Sequence, residues 1–151
     1  MRKWFLGVWV GLCAASPALQ AQALWFTVSG NPLDESVDTV QVDPVAFKKT
    51  GDGAVMNIRV NRAKDRLNWD KLPYRSYEAR VVFNCTARKA DYAAITYYLQ
   101  PVWKGEAHNT TDYSRNPRPM LFKDMVPNPT ARIIQAACAA ISEASPAKAA
   151  Q

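Results

Sequence analysis

A chain of 151 residues supplies one domain with a single core and excludes a multidomain assembly. With 48% hydrophobic and 21% charged residues its composition is that of a folded globular protein, neither a disordered tail nor a bundle of membrane spans. The net charge of +6 is a mild excess, which gives no ground for a nucleic-acid partner.

The chain opens MRKWFLGVWVGLCAASPALQAQA. Arg2 and Lys3 form a positive start, Trp4 to Ala15 an apolar stretch, and Ala21-Gln22-Ala23 a small-x-small cleavage site, the three parts of a secretory signal peptide. The apolar stretch is short of the roughly 20 residues that a membrane helix needs. Residues 1–23 are therefore expected to be removed, with Leu24 the first mature residue. Leu12 before Cys13 does not suit lipid attachment, so Cys13 is expected to leave with the leader. No second long apolar run follows, and no transmembrane span is expected in the mature chain.

LWFTVSG reads as a first strand, with Leu24, Phe26 and Val28 on one side. Val40 to Asp43 reads as a second that stops at Pro44. Thr50 to Gly53, TGDG, is a turn. It leads into a half-buried strand in which Met56, Ile58 and Val60 alternate with Asn57, Arg59 and Asn61. AKDRLNWDKLPYR, polar and of mixed charge, reads as an exposed loop with no partner role. YEARVVFNC alternates strictly: Tyr77, Ala79, Val81, Phe83 and Cys85 share one side, and Val82 is the one apolar residue on the other. Arg88, Lys89 and Asp91 read as a solvated turn.

Tyr92 to Trp103 is rich in strand formers on both faces, so this strand is either central or carries aromatics outside. Gly105 to Pro119 reads as a long polar loop. NPTARIIQAACAAISEA is a helix with Asn128 as N-cap and Pro129 at its first position; Ile134, Cys138 and Ile141 recur on one face beside Ala137. Residues 144–151 are expected to form a disordered tail. Several strands followed by one helix predict an α+β fold, an antiparallel sheet with the C-terminal helix packed on one face, as a single domain over 24–143.

Two cysteines, Cys85 and Cys138, remain after cleavage. An even count in an exported chain reads as one intramolecular disulfide, with free buried thiols or an intermolecular bridge as the alternatives. Both cysteines lie on inward-facing sides, so the bond would fasten helix to sheet. Closing that loop stabilises by roughly 4 kcal/mol on the chain-entropy argument.

Catalytic signals are thin. His108 stands alone among Glu106, Thr110, Thr111 and Asp112, with nothing to fix an acid–base geometry. No metal-ligand cluster, phosphate loop, nucleophile elbow or dinucleotide fingerprint is present, so no cofactor or metal is expected. The remaining feature is the aromatic group Tyr92, Tyr97, Tyr98 and Trp103. Core packing accounts for aromatics in general. Crowding on both sides of one strand also fits a recognition surface, with Tyr92, Tyr98 and Trp103 as the partner-contact candidates.

Trp25, Val42-Asp43-Pro44, Tyr74-Arg75-Ser76, Cys85, Tyr97-Tyr98 and Cys138, in this order and spacing, make the chain resemble the surface-adhesin protein E-like domain of Gram-negative bacteria. Asn84 stands where that family often carries aspartate. The resemblance implies a small exported domain of sheet plus helix and a binding role at the cell surface; the namesake adheres to host matrix proteins and plasminogen. The leading expectation is an exported, non-enzymatic binding module, adhesin-like, at the cell surface or in the periplasm, with an extracellular or envelope protein as partner. The alternatives are a small periplasmic hydrolase using His108 with Glu106 or Asp112, and an envelope-associated structural protein without a small ligand.

Overall fold

The computed structural model describes residues 24–51 and 53–144, together with all side chains in that range except those of residues 45–47. The expectations for the leader, for Cys13 and for the tail beyond Ala144 lie outside the described residues. Within them, β1 (Phe26–Ser29), β2 (Thr39–Thr50), β3 (Gly53–Leu67), β4 (Pro73–Asn84), β5 (Lys89–Tyr98) and β6 (Asn109–Asp112) form one antiparallel sheet in chain order, and β7 (Arg118–Pro119) pairs with β5 beside β6. The helix α1 spans Thr130–Glu143.

Alternating side chains make the core. Val40 and Val42 of β2, Met56, Ile58 and Val60 of β3, and Tyr77, Ala79, Val81 and Phe83 of β4 are buried together. Arg80 and Val82 face solvent from β4, as the period of two requires. The turn after Thr50 closes β2 on β3 with Thr50 opposite Gly53. Gly53 cannot be replaced there, since a Cβ would stand 1.7 Å from the carbonyl oxygen of Phe83.

Ile133, Ile134, Ala137 and Ile141 of α1 belong to the same buried cluster, and the helix contacts β1, β2, β3 and β4. Ile133 and Ala137 are its fully buried residues; Cys138 lies at the margin of that stripe, half-buried, rather than in its middle. There it is bonded to Cys85, Cα to Cα 5.7 Å. The helix begins at Thr130, so Pro129 rather than Asn128 holds the N-cap position and no side chain caps it; Asn128, one residue earlier, turns the chain into the helix, its Oδ1 accepting from the Thr130 N–H at 2.9 Å.

Four readings need correction, and each has a local cause. β2 does not stop at Pro44. The ladder is irregular between Val42 and Phe47, and this irregularity accommodates a residue with no N–H to donate. Leu24 and Phe26 are exposed, because β1 is a short edge strand whose register shifts between Thr27 and Ser29; only Val28 is buried. The mixed-charge run is no loop: β3 continues to Leu67, β4 starts at Pro73, and a tight turn joins them. Asn68 holds that turn, its Oδ1 accepting from the N–H groups of Asp70 and Leu72, both at 2.9 Å. The stretch from Gly105 to Pro119 is likewise pinned to β5 by β6 and β7.

Candidate functional site

The strand read as running from Tyr92 to Trp103 ends at Tyr98, and it carries a bulge. Arg80 faces Ala94 while Val81 faces Tyr92, so Ala93 has no partner opposite. Strict alternation would put Tyr92 and Tyr98 on the same side. The extra residue reverses that parity. Tyr92, Ile95 and Tyr97 are buried on the core side; Ala94, Thr96 and Tyr98 lie on the other, partly open side. Tyr92 is 5% exposed, with its ring on the core side, and is no part of the outer face. Tyr98 and Trp103 are half-buried.

On the outer face of the sheet an aromatic group is assembled from distant positions. The Arg59 guanidinium lies 4.4 Å from the Trp25 ring centre and 4.1 Å from that of Trp103. Its Nε donates to Gln41 Oε1 at 2.6 Å, and Gln41 Nε2 donates to Thr27 Oγ1 at 2.8 Å. A cation between two indole faces gains about 0.5–2 kcal/mol from each. Burial lowers the Arg59 pKa, and the nearby Glu78 carboxylate works against that. Tyr98 donates its hydroxyl to Glu78 Oε2 at 3.2 Å, which continues the group along β4 and β5.

Trp103 is held from below. It ends a short 3-10 turn, Pro101–Trp103, in which Val102 and Trp103 have φ of 47° and 60°. Such left-handed backbone costs non-glycine residues of order 1–3 kcal/mol each and persists only where the surroundings impose it. Here the fully buried Asn61 accepts the Val102 N–H at 2.8 Å, Ser76 Oγ accepts the Trp103 N–H at 2.9 Å, and the indole N–H donates to the Tyr77 carbonyl at 2.9 Å. Asn61 spends its Nδ2 on the carbonyls of Glu35 and Val37, so the turn is tied to the chain before β2 as well.

His108 is exposed on the approach to β6 and its backbone N–H donates to the Tyr97 carbonyl. Among the described residues no hydrogen bond or ion pair joins its imidazole to Glu106 or Asp112. The Asp112 carboxylate instead accepts the Ser114 N–H at 2.7 Å, and its bonds to Ser114 hold its pKa low. Among the described residues, no three His, Cys, Asp or Glu side chains converge as a metal set, and no helix is long and apolar enough to cross a membrane.

The inner face of the sheet carries a second feature that sequence reasoning missed. A cavity of about 480 Å³ lies over β4 and β5, bounded by the β3–β4 turn and the segment 119–124. Tyr74, Tyr77, Tyr92 and Tyr97 line it, with ring centres 5.1–6.0 Å apart in tilted and edge-to-face contacts. The hydroxyls of Tyr77 and Tyr92 meet at 2.6 Å. Burial pushes the pKa of all four tyrosines up, so they remain neutral hydrogen-bonding groups. Trp69, from the turn read as a solvated loop, packs its edge on Tyr92 and Tyr113 at 5.9 and 5.4 Å. Arg62 stands in the wall, paired with Asp38 at 3.1 Å and Asp124 at 2.7 Å. Tyrosines at 74, 77, 92 and 97 are visible in the sequence; their convergence depends on the Ala93 bulge, which leaves no composition signal.

No curated protein and no solved structure matches the chain. The model of the surface-adhesin protein E family does match, over residues 25–139, from Trp25 of the outer stack to the residue after Cys138. That match takes in the sheet, both aromatic groups and the disulfide, and the chain belongs to the surface-adhesin protein E family.

Proposed function

We propose that this chain is an exported, non-enzymatic binding domain, adhesin-like, that engages an extracellular or envelope protein through the outer face of its sheet. In this reading the N-terminal leader directs export, the disulfide locks the fold in an oxidising compartment, and the helix covers the inner face. The outer face is left to the partner. Arg59, Trp25, Trp103 and Tyr98 form the contact, with Tyr98 and Trp103 retained from the sequence candidates and Tyr92 set aside as core.

The observation that carries this reading is the way Trp103 is held. Two successive left-handed residues, two buried polar anchors and a cation stack position one half-buried indole on a sheet face. Packing alone does not call for that arrangement, and strained backbone of this kind clusters at ligand-binding positions. Trp, Tyr and Arg are also the side chains that dominate binding hot spots, because each buries a large area and keeps a polar end. Hydrolase chemistry at His108 draws no support from any contact that its imidazole makes.

Solid-phase binding to plasminogen and to host matrix proteins tests the reading. The mature chain should bind at least one of them. Tyr98→Ala combined with Trp103→Ala should weaken capture by about tenfold or more, the scale of a lost hot spot, while the far-ultraviolet circular dichroism stays that of the folded sheet. Undiminished binding by the folded double variant would remove the outer face from consideration.

A further inference from the structure

The inner cavity lies on the opposite side of the sheet from the outer stack, and its lining has a chemistry of its own. Its volume of about 480 Å³ falls within the 300–1,000 Å³ typical of small-molecule sites. Three features define what would fit. The first is the aromatic wall. Trp69, 45% exposed, and the half-buried Tyr74 stand at the mouth, above the buried rings of Tyr77, Tyr92 and Tyr97. The second is an unused donor. Asn68 is only 7% exposed and lies on the cavity wall; its Oδ1 is occupied by the turn, and among the described residues its buried Nδ2 has no hydrogen-bond partner. A buried donor left unpaired is destabilising, and a ligand oxygen that reached it would recover that loss. The third is charge. Lys71 and Lys123 line the mouth and are exposed, while the one carboxylate among the described lining residues, Asp124, is engaged by Arg62.

A ligand that meets all three has an apolar face for the rings, oxygens for Asn68 and the tyrosine hydroxyls, and a negative charge for the lysines. We propose that this cavity is a binding site for an acidic sugar unit, a hexuronic acid, whose C–H face lies against the aromatic wall, whose ring oxygens meet Asn68 Nδ2 and the tyrosine hydroxyls, and whose carboxylate lies between Lys71 and Lys123. A neutral hexose would gain the first two contacts and lose the third. This site is independent of the outer face, so either can fail without the other.

Methyl β-glucuronide and methyl β-glucoside differ only in the carboxylate and make a matched pair of probes. Each is titrated into the isotope-labelled mature chain, following the Trp69 indole and Asn68 side-chain amide signals by nuclear magnetic resonance. The glucuronide should shift both signals saturably and bind at least about tenfold more tightly than the glucoside. Asn68→Asp keeps an oxygen for the turn and replaces the free donor by a carboxylate; it should abolish glucuronide binding while the remaining spectrum stays native. Lys71→Gln with Lys123→Gln, both exposed, should reduce glucuronide affinity to that of the glucoside. A glucuronate-ended oligosaccharide separates two sources of the same chemistry: equal or tighter binding identifies a chain end, and exclusion identifies the free sugar. Absence of a saturable shift, equal affinity for both glycosides, or undiminished binding by a folded Asn68→Asp variant would overturn the assignment.

Discussion

The inner face of the sheet is closed in two different ways. Near β2 and β3 the cover is the helix, whose Ile133 and Ala137 share one buried cluster with Val40, Val42, Met56 and Ile58, all essentially without solvent contact. Over β4 and β5 the cover is the Trp69 turn and the segment 119–124, and the side chains beneath are tyrosines that meet by ring edges and paired hydroxyls. Aliphatic side chains interdigitate in any direction and fill space to the density of a crystal. Tyrosines must also place each hydroxyl against a partner, and their rigid rings leave gaps that a methyl group would close. The contrast teaches that burial and sealing are separate achievements: both halves bury the side chains of the sheet, and the tyrosine half retains an open cavity.

The sharpest way to break the contrast is to damage the aliphatic half. Ile133→Ala removes a fully buried side chain, and Cys138→Ala removes the bridge at the same helix. Each should cost roughly 2–5 kcal/mol in urea denaturation of the oxidised mature chain. A loss below about 1 kcal/mol for both would show that the helix is a passive cover. In the tyrosine half the currency is hydrogen bonding. Tyr77→Phe strands the buried hydroxyl of Tyr92 and should cost about 1–3 kcal/mol, whereas Tyr77→Phe with Tyr92→Phe removes both partners and should come close to neutral. Additive losses in a double-mutant cycle would contradict the pairing.

A smaller effect is visible through pH. Burial raises the Asp124 pKa, but its hydrogen bond to Arg62 and the charges of Arg62 and Arg66 outweigh that and hold it below the ordinary carboxylate value. A carboxyl depressed in the folded state stabilises fully above its unfolded pKa of about 3.9, and the contribution fades as pH falls through the lower folded value. The urea midpoint should therefore drop below about pH 4, and Asp124→Asn should show a shallower drop over the same window. Smallest of all is the outer face of β4. Val82 is 37% exposed there, and Val82→Thr should change stability by less than about 0.5 kcal/mol, measured by the same denaturation.

Much of the sheet was legible in the sequence where the period of two ran unbroken. Tyr77 to Phe83 and Met56 to Val60 read correctly because nothing interrupts their alternation, and the helix announced itself through Asn128 and Pro129, with its start misplaced by one residue. What escaped was every place where the period slips. The irregularity at Pro44 and the bulge at Ala93 each add or absorb a residue, and a bulge has no composition of its own. The bulge alone separates Tyr92 from Tyr98 and thereby splits one expected contact region into an outer stack and an inner cavity. Trp69 was hidden differently. It sits in a run of lysines, aspartates and arginines, and only the tertiary fold turns that run into a tight turn over the tyrosines.

The strand order has a consequence for how the molecule comes to be. From β1 to β6 each strand pairs with its neighbour in sequence, so the sheet can zip hairpin by hairpin with short loops to close. The helix is the exception: α1 must travel back from the far end of the chain to reach β1 and β2. Its docking is the most non-local event in the fold and is expected to come last. Cys138 rides on that helix, and Cys85 waits at the end of β4. Oxidation of the pair is thus a clock for the final step of folding. In a refolding time course quenched by alkylation, the two thiols should remain reactive after the sheet has formed, and vanish together as the helix arrives.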